Sequence, residues 1–391
     1  MSTVLRELLN IAADIPRSVL SLQYGIVYGN VNGNVNGNIY RTAVKEAGMA
    51  TIQDIARFSG YSIGTVSRVI NNRADVSDEA RAKIEEVIKE QNYQPNSSAR
   101  KLRQSISSEI TIVVRGNGNI FLQSVLEIIQ RCILEHGETA NVQFVGELED
   151  EVSVALQAVR QLKPRGIIFL GGSMDHFREE FAEITIPCVL ITADAEGLGF
   201  GNLSSFTTND REAAAHAVST LIWHGHRRIG ILGGFPESLR GVWSDDVPAL
   251  RVLGAIEVME KNGIPFDPER DYEPCSPLAE EGYQAAKRLL LKNPDLTGIF
   301  AIKDSIALGA IRAFRDMGLR VPKDISVVGF DGVLYSKYSV PRLTTIQQDV
   351  VALARKGVED LLMRISYDSS AVHEQIPYRF VNGESVARPR D

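Results

Sequence analysis

From Thr51 to Arg103 the chain reads TIQDIARFSGYSIGTVSRVINNRADVSDEARAKIEEVIKEQNYQPNSSARKLR, a string compatible with very few folds. Thr51 precedes Ile52 and is followed three residues on by Asp54, an N-terminal capping pattern. Ile55, Ala56 and Phe58 give this first short helix an apolar face. Gly60 stands where the chain must turn sharply. Ser62 then caps a second helix from Ile63 through Asn71, with Val66, Val69 and Ile70 turned inward. Ser77 opens a third helix, with Asp78 and Glu79 at the positive end of its dipole and Ala80, Ile84, Val87 and Ile88 as its buried stripe. Two short helices joined by a Gly-containing turn make a helix-turn-helix. The outward positions of the second helix are Ile63, Gly64, Thr65, Ser67 and Arg68, and residues at the start of such a helix reach base edges in the major groove. A three-helix docking or dimerisation unit is the alternative reading of the pattern alone.

The wording of the string carries more than its pattern. Ala56 to Asn71 (ARFSGYSIGTVSRVIN) resembles the headpiece of the lactose- and galactose-repressor (LacI/GalR) family, and Tyr93 to Leu102 (YQPNSSARKL) resembles that family's hinge. Gly225 to Ile229 (GHRRI), Val321 to Asp331 (VPKDISVVGFD) and Pro341 to Ile346 (PRLTTI) are similar to the family's effector-domain strings, in the family's order. The resemblance runs from about Met49 to the C-terminus. It implies an all-α helix-turn-helix headpiece and an α/β, two-lobed, periplasmic-binding-protein-like effector domain with parallel sheets and helices on both faces. It also implies operator contacts from Thr51, Ser62, Ile63, Gly64, Thr65, Ser67, Arg68 and Asn71, and from Asn96, Ser97, Ala99, Arg100 and Leu102 of the hinge. The hinge is expected to fold only when two copies meet over the operator, where Leu102 wedges into the minor groove.

At 391 residues the chain exceeds one ordinary core, so two folded units with an appendage are expected. Residues 1–48 include a Gly/Asn/Val run from Gly29 to Asn38 that cannot build a packed core, and they read as a disordered extension; an interaction arm is the alternative. Residues 49–94 are then the DNA-binding domain, 95–108 the hinge and linker, and 109–391 the effector-binding and dimerisation domain. The net charge of −7 speaks against a general nucleic-acid coat. Site-specific binding needs only a local positive face, and Arg57, Arg68, Arg73, Arg100, Lys101 and Arg103 supply one. Cys132, Cys188 and Cys275 are far apart and odd in number, which suits a reducing cytoplasm and gives no metal-ligand spacing. No apolar run is long enough to span a bilayer, and no cofactor is implied.

Beyond the hinge, strands expected at 110–114, 142–145, 166–170 and 187–191 alternate with helices, and a second series of strands falls at 228–232, 298–302 and 325–329. Continuous apolar strands separated by helices indicate parallel sheets covered on both faces. Two series predict two lobes, with a ligand between them at the carboxyl ends of the strands. The stretch from Gly332 to about Ile365 is expected to return to the first lobe. Asn119, Phe121, Gly172, Ser173, Lys303, Asp304 and Asp331 fall just past strand ends and are the candidate cleft residues, with Phe121 offering a flat face to a sugar ring. Arg251 matches the family's arginine that forks onto effector hydroxyls, and Asp304 and Asp331 match its acceptor carboxylates. For the two acids, a helix cap and a turn aspartate are the alternatives. Lys303 and Arg115 depart from the family's pattern, and with Arg251 they would suit an anionic sugar derivative. Enzyme readings fail: there is no complete dinucleotide fingerprint, Walker A string or nucleophile elbow. The expected protein is a cytoplasmic, effector-responsive repressor of carbohydrate genes acting as a homodimer on operator DNA. A sugar-binding protein or sugar-processing enzyme with similar lobes is the alternative.

Overall fold

The computed structural model describes residues 52–70, 76–91, 109–116, 118–147, 149–239, 245–367 and 369–390. The extension, Thr51, Asn71 and the whole hinge with Asn96, Ser97, Ala99, Arg100 and Leu102 lie outside the described residues, as do the side chains of Ile63, Ser67 and Arg68. The chain divides into two compact units at Ser97–Ser98.

The first unit packs α1 (Ile52–Ser59), α2 (Ile63–Ile70) and α3 (Asp78–Glu90) around a small core of Ile55, Val66, Val69, Ile84 and Val87. Two of the three expected caps fall within the described residues and form: the Thr65 amide donates to Ser62 Oγ at 3.1 Å and the Ala80 amide to Ser77 Oγ at 3.4 Å. Gly60 turns the chain at φ +75°, with open space where a Cβ would stand, so glycine is needed there for its backbone rather than its size. Phe58 is the exception to the expected apolar face. The inward stripe of α1 runs through Ile55, Ala56 and Ser59, which leaves Phe58 on the flank, 51% exposed, with the Arg57 guanidinium 4.8 Å from its ring centre.

The second unit has two lobes. In the first, β1 (Glu109–Arg115), α4 (Ile120–Glu135), β2 (Thr139–Val145), α5 (Glu151–Leu162), β3 (Gly166–Leu170), α6 (Met174–Glu180), β4 (Cys188–Ile191) and β5 (Leu203–Thr207) follow in sequence. The second lobe adds α7 (Asp210–Trp223), β6 (Ile229–Leu232), α8 (Val247–Lys261), β7 (Tyr272–Glu273), α9 (Ala279–Lys292), β8 (Gly298–Ala301), α10 (Asp304–Asp316), β9 (Ser326–Asp331), α11 (Leu334–Tyr338) and β10 (Thr344–Gln347). After these come α12 (Val350–Ser366), β11 (His373–Gln375) and β12 (Arg379–Val381). One six-stranded sheet has the order β11-β5-β4-β3-β1-β2, the other β12-β10-β9-β8-β6-β7. Every pairing is parallel except β10 with β12. β3, β4, β6 and β8 are buried along their whole length, the signature of a sheet covered on both faces.

The expected return of Gly332 to Ile365 needs correction. β10 stays in the second sheet, paired in parallel with β9, and it is α12 that crosses to the first lobe, seating Leu353, Ala354, Val358 and Leu361 in that core. Val333 reaches the same core from the loop after β9. In the second lobe, helices approach one another through glycines. A Cβ on Gly254 of α8 would collide with the Arg211 carbonyl of α7, and one on Gly282 of α9 would come within 2.6 Å of the Ile306 carbonyl of α10. His226, in the GHRRI string, is buried between Thr297 Oγ1 at 3.0 Å and the Ala387 carbonyl at 2.9 Å; burial lowers its pKa, so it anchors the C-terminal segment as a neutral ring.

Candidate functional site

The carboxyl ends of the strands face a cavity of about 110 Å³ between the lobes. Arg115, Asn119, Phe121, Glu147 and Gly172 line it from the first lobe, and Phe235, Asp246, Arg251, Lys303 and Asp331 from the second. Six of the eight sequence-predicted cleft residues therefore meet at one place. Asn119 caps α4 through its carbonyl oxygen, which accepts from the amides of Phe121 (3.1 Å) and Leu122 (3.3 Å), so its side-chain NH₂ is the group left for a ligand.

Arg251 is the centre of the second wall. It is fully buried, its Nε donating to Asp210 Oδ1 at 2.8 Å and its Nη1 to Asp331 Oδ1 at 3.0 Å and the Ile302 carbonyl at 2.7 Å. Its guanidinium carbon lies 3.6 Å from the centre of the Phe330 ring. Burial works against its charge, but the two carboxylates outweigh that and raise its pKa. Burial likewise pushes the Asp210 carboxyl up to about 6, with Arg251 opposing. Asp331 also accepts from Gln348 Nε2 at 2.9 Å, and it holds φ +114°, a strained backbone for a residue other than glycine. Thr192, on the opposite wall, is at φ +85°.

Lys303 differs from the other two cleft cations. Arg115 is tied to the wall, donating twice to the Glu147 carbonyl (3.1 and 2.8 Å). The Lys303 ammonium has no ion-pair partner within 4.0 Å among the described residues, and its burial lowers its pKa against the fields of Asp331 and Glu147. It is a half-buried ammonium with no salt bridge among the described residues, held only in the longer-range fields of those carboxylates.

Two predicted cleft residues are placed elsewhere. Asp304 follows β8 directly but points into its own lobe, where the Val333 amide (2.9 Å), Ser336 Oγ (2.7 Å) and Thr345 Oγ1 (2.6 Å) all donate to it. Burial and the charge of Asp331 raise its pKa to about 7 against those three donors. It ties α10 to the loop after β9 and has no face on the cavity. Ser173 does not line the cavity either: its amide donates to the buried Glu151 carboxylate at 2.6 Å and its hydroxyl faces Asp246. Sequence reasoning missed Glu147 and Phe235, although they lie shortly past the carboxyl ends of β2 and β6, and Asp246, the N-cap residue of α8, which no strand end marks. Asp150, Glu151 and His176 also cluster, but their ligand atoms already serve the amides of Val152, Ser153 and Ser173 and the His176–Glu151 contact at 2.8 Å.

A helix-turn-helix unit on the same chain as a two-lobed domain with a polar cleft defines the class of ligand-responsive, DNA-binding transcriptional regulators. The comparisons give the family. Residues 51–96 match the bacterial regulatory proteins of the lacI family, and residues 218–386 match the periplasmic binding protein-like domain. The HTH-type transcriptional regulator MalR of Clostridium butyricum is 35% identical over 341 residues, covering 85% of this chain and 98% of that protein. The probable HTH-type transcriptional repressor ExuR of Bacillus subtilis (strain 168) is 32% identical over 325 residues, covering 81% and 92%. Among solved structures, the lac repressor dimer bound to operator and the anti-inducer ONPF superposes with a TM-score of 0.73 at 25% identity, covering 86% of this chain and 99% of that one. This chain belongs to the LacI family of bacterial regulatory proteins, and it is a transcriptional regulator rather than an enzyme. Among the described residues no helix is long and apolar enough to cross a membrane.

Proposed function

We propose that the protein is a cytoplasmic homodimeric repressor of carbohydrate-uptake or catabolic genes, released from or recruited to its operator by a single-ring sugar or sugar derivative held between the lobes. The observation that carries this reading is the cavity itself. Phe121 supplies an apolar face, and Arg251 and Asp331 supply a rigid, mutually bonded donor and acceptor. The space corresponds to roughly ten water-sized positions, close to the dozen heavy atoms of one sugar ring. A thermal-shift screen of monosaccharides tests it, because a ligand that binds the native state raises the melting temperature. No shift with any monosaccharide would refute it.

A sugar carrying a carboxylate or phosphate is the second reading, favoured by the unpaired Lys303 ammonium; hexuronates and sugar phosphates in the same screen decide between the two.

On the DNA side, Ile63 is assigned to a thymine methyl, Arg68 to a guanine edge and Gly64 to close approach, with Thr51, Ser67 and Asn71 alongside them. The Ser62 and Thr65 hydroxyls lie 2.9 Å apart and are paired with each other, which suits contact with a phosphate more than base reading. Arg68→Ala should cost about 1–3 kcal/mol of operator affinity and relax one base position, read by selection from randomised sites. The domain limits 49–94, 95–108 and 109–391 belong to the same proposal.

A further inference from the structure

Asp246 stands at the N-cap of α8, yet its side chain makes no capping bond to its own helix. It crosses the cleft instead. Its Oδ1 accepts from the Met174 amide at 2.9 Å, and its Oδ2 lies 3.5 Å from Ser173 Oγ. Helix α6 is in turn uncapped by its own N-cap residue, Ser173. A carboxylate of the second lobe thus satisfies a first-turn amide of a helix in the first. One residue earlier, Asp245 Oδ2 accepts from Arg178 Nη2 at 2.6 Å, and Asp175 holds the same guanidinium at 2.9 Å. One residue later, Val247 packs against the first-lobe core that contains Phe177 and Phe181. Three consecutive residues of one lobe are therefore seated on the other by a helix cap, an ion pair and an apolar contact. An exposed ion pair alone contributes little. The cap and the apolar contact add what it lacks.

We propose that Asp245, Asp246 and Val247 form a clasp that holds the lobes against each other through protein contacts alone, so that the domain is biased toward closure before an effector contributes. Asp246 also lines the cavity, so a ligand donor that reaches it must share the carboxylate with Met174. A competent state populated in advance tightens apparent binding by the fraction gained.

The test needs no ligand and is independent of the effector proposed above. Spin labels at the exposed Gln157 of α5 and Glu260 of α8, in full-length protein carrying Cys275→Ser and mixed with excess unlabelled subunit, report the distance between lobes. The native clasp should give one narrow distribution, and Asp246→Ala should add a longer population. Arg178→Glu, outside the cleft, should shift the distribution in the same direction, and the swap Arg178→Glu with Asp245→Arg should restore it. The swap arm stands on its own if Asp246→Ala does not fold. A broad distribution in the native protein, or one unchanged by Asp246→Ala and by Arg178→Glu, overturns the clasp.

Discussion

Replacing Arg251 by Met removes one charge and leaves two carboxylates behind. Asp210 and Asp331 are both buried and both bonded to the guanidinium, so the variant keeps most of the stem volume and loses the one cation among the described residues that is bonded to either of them. Breaking a buried pair from one side costs about 3–5 kcal/mol, because the stranded charge is what destabilises. For a domain of this size that is a fall in melting temperature of roughly 6–20 °C. The deficit should depend on pH. Even with Arg251 present, burial pushes the Asp210 carboxyl up to about 6, and without the guanidinium that carboxyl moves further upward. The folded variant then binds protons more tightly than the unfolded chain. Its stability is greatest below the ordinary carboxylate range and is lost as pH rises through the raised Asp210 value. Denaturant titrations followed by circular dichroism, one near pH 5 and one near pH 8, read both effects. The variant should lie close to the native protein in acid and far below it in base, and adding Asp210→Asn and Asp331→Asn should recover much of the loss. A deficit below about 1 kcal/mol, or one equal at the two pH values, would refute the reasoning, since exposed pairs behave that way.

Further substitutions probe other contacts. Asp304→Asn should flatten the pH dependence of stability: the Asp304 carboxyl is raised to about 7, so its contribution is present at low pH and lost toward neutrality, and thermal melts across that range will show whether the slope disappears. Gly254→Ala and Gly309→Ala should each destabilise the second lobe by about 1–3 kcal/mol or more, because the new Cβ meets a backbone carbonyl (of Arg211 and Ala279, respectively) that no rotamer change can move aside; urea midpoints decide. Ser62→Ala should cost about 1 kcal/mol in headpiece stability through the lost cap on Thr65, seen as faster amide exchange at the start of α2.

Elements with a strong period or a continuous apolar run were legible in the sequence; elements held by distant partners were not. β3 and β4, every residue apolar or glycine, fell within a residue of expectation. β5 was missed because its centre is Ser204 and Ser205, polar residues that are fully buried only because other parts of the chain satisfy them. Ser204 Oγ accepts from Arg364 Nη1 at 3.0 Å and from the Val372 amide at 3.0 Å, while Ser205 Oγ lies 2.8 Å from His373 Nδ1. No local pattern announces partners more than 150 residues away.

The same limit separates Asp304 from Asp331. Each lies at the carboxyl end of a central strand, which fixes its position in the lobe but not the direction of its carboxylate. Gly332, at φ +72°, lets the chain after β9 fold back, so the Val333 amide and the Ser336 hydroxyl arrive beneath Asp304 and draw it inward. That turn leaves Asp331 facing Arg251 and the cavity, with Gln348 bonded to the same carboxylate from the segment between β10 and α12. Asp331 therefore touches both the cavity and one of the segments that join the lobes. A ligand that draws on the Asp331 carboxylate competes with a bond to that connecting segment, which gives cleft occupancy a direct physical route to lobe orientation.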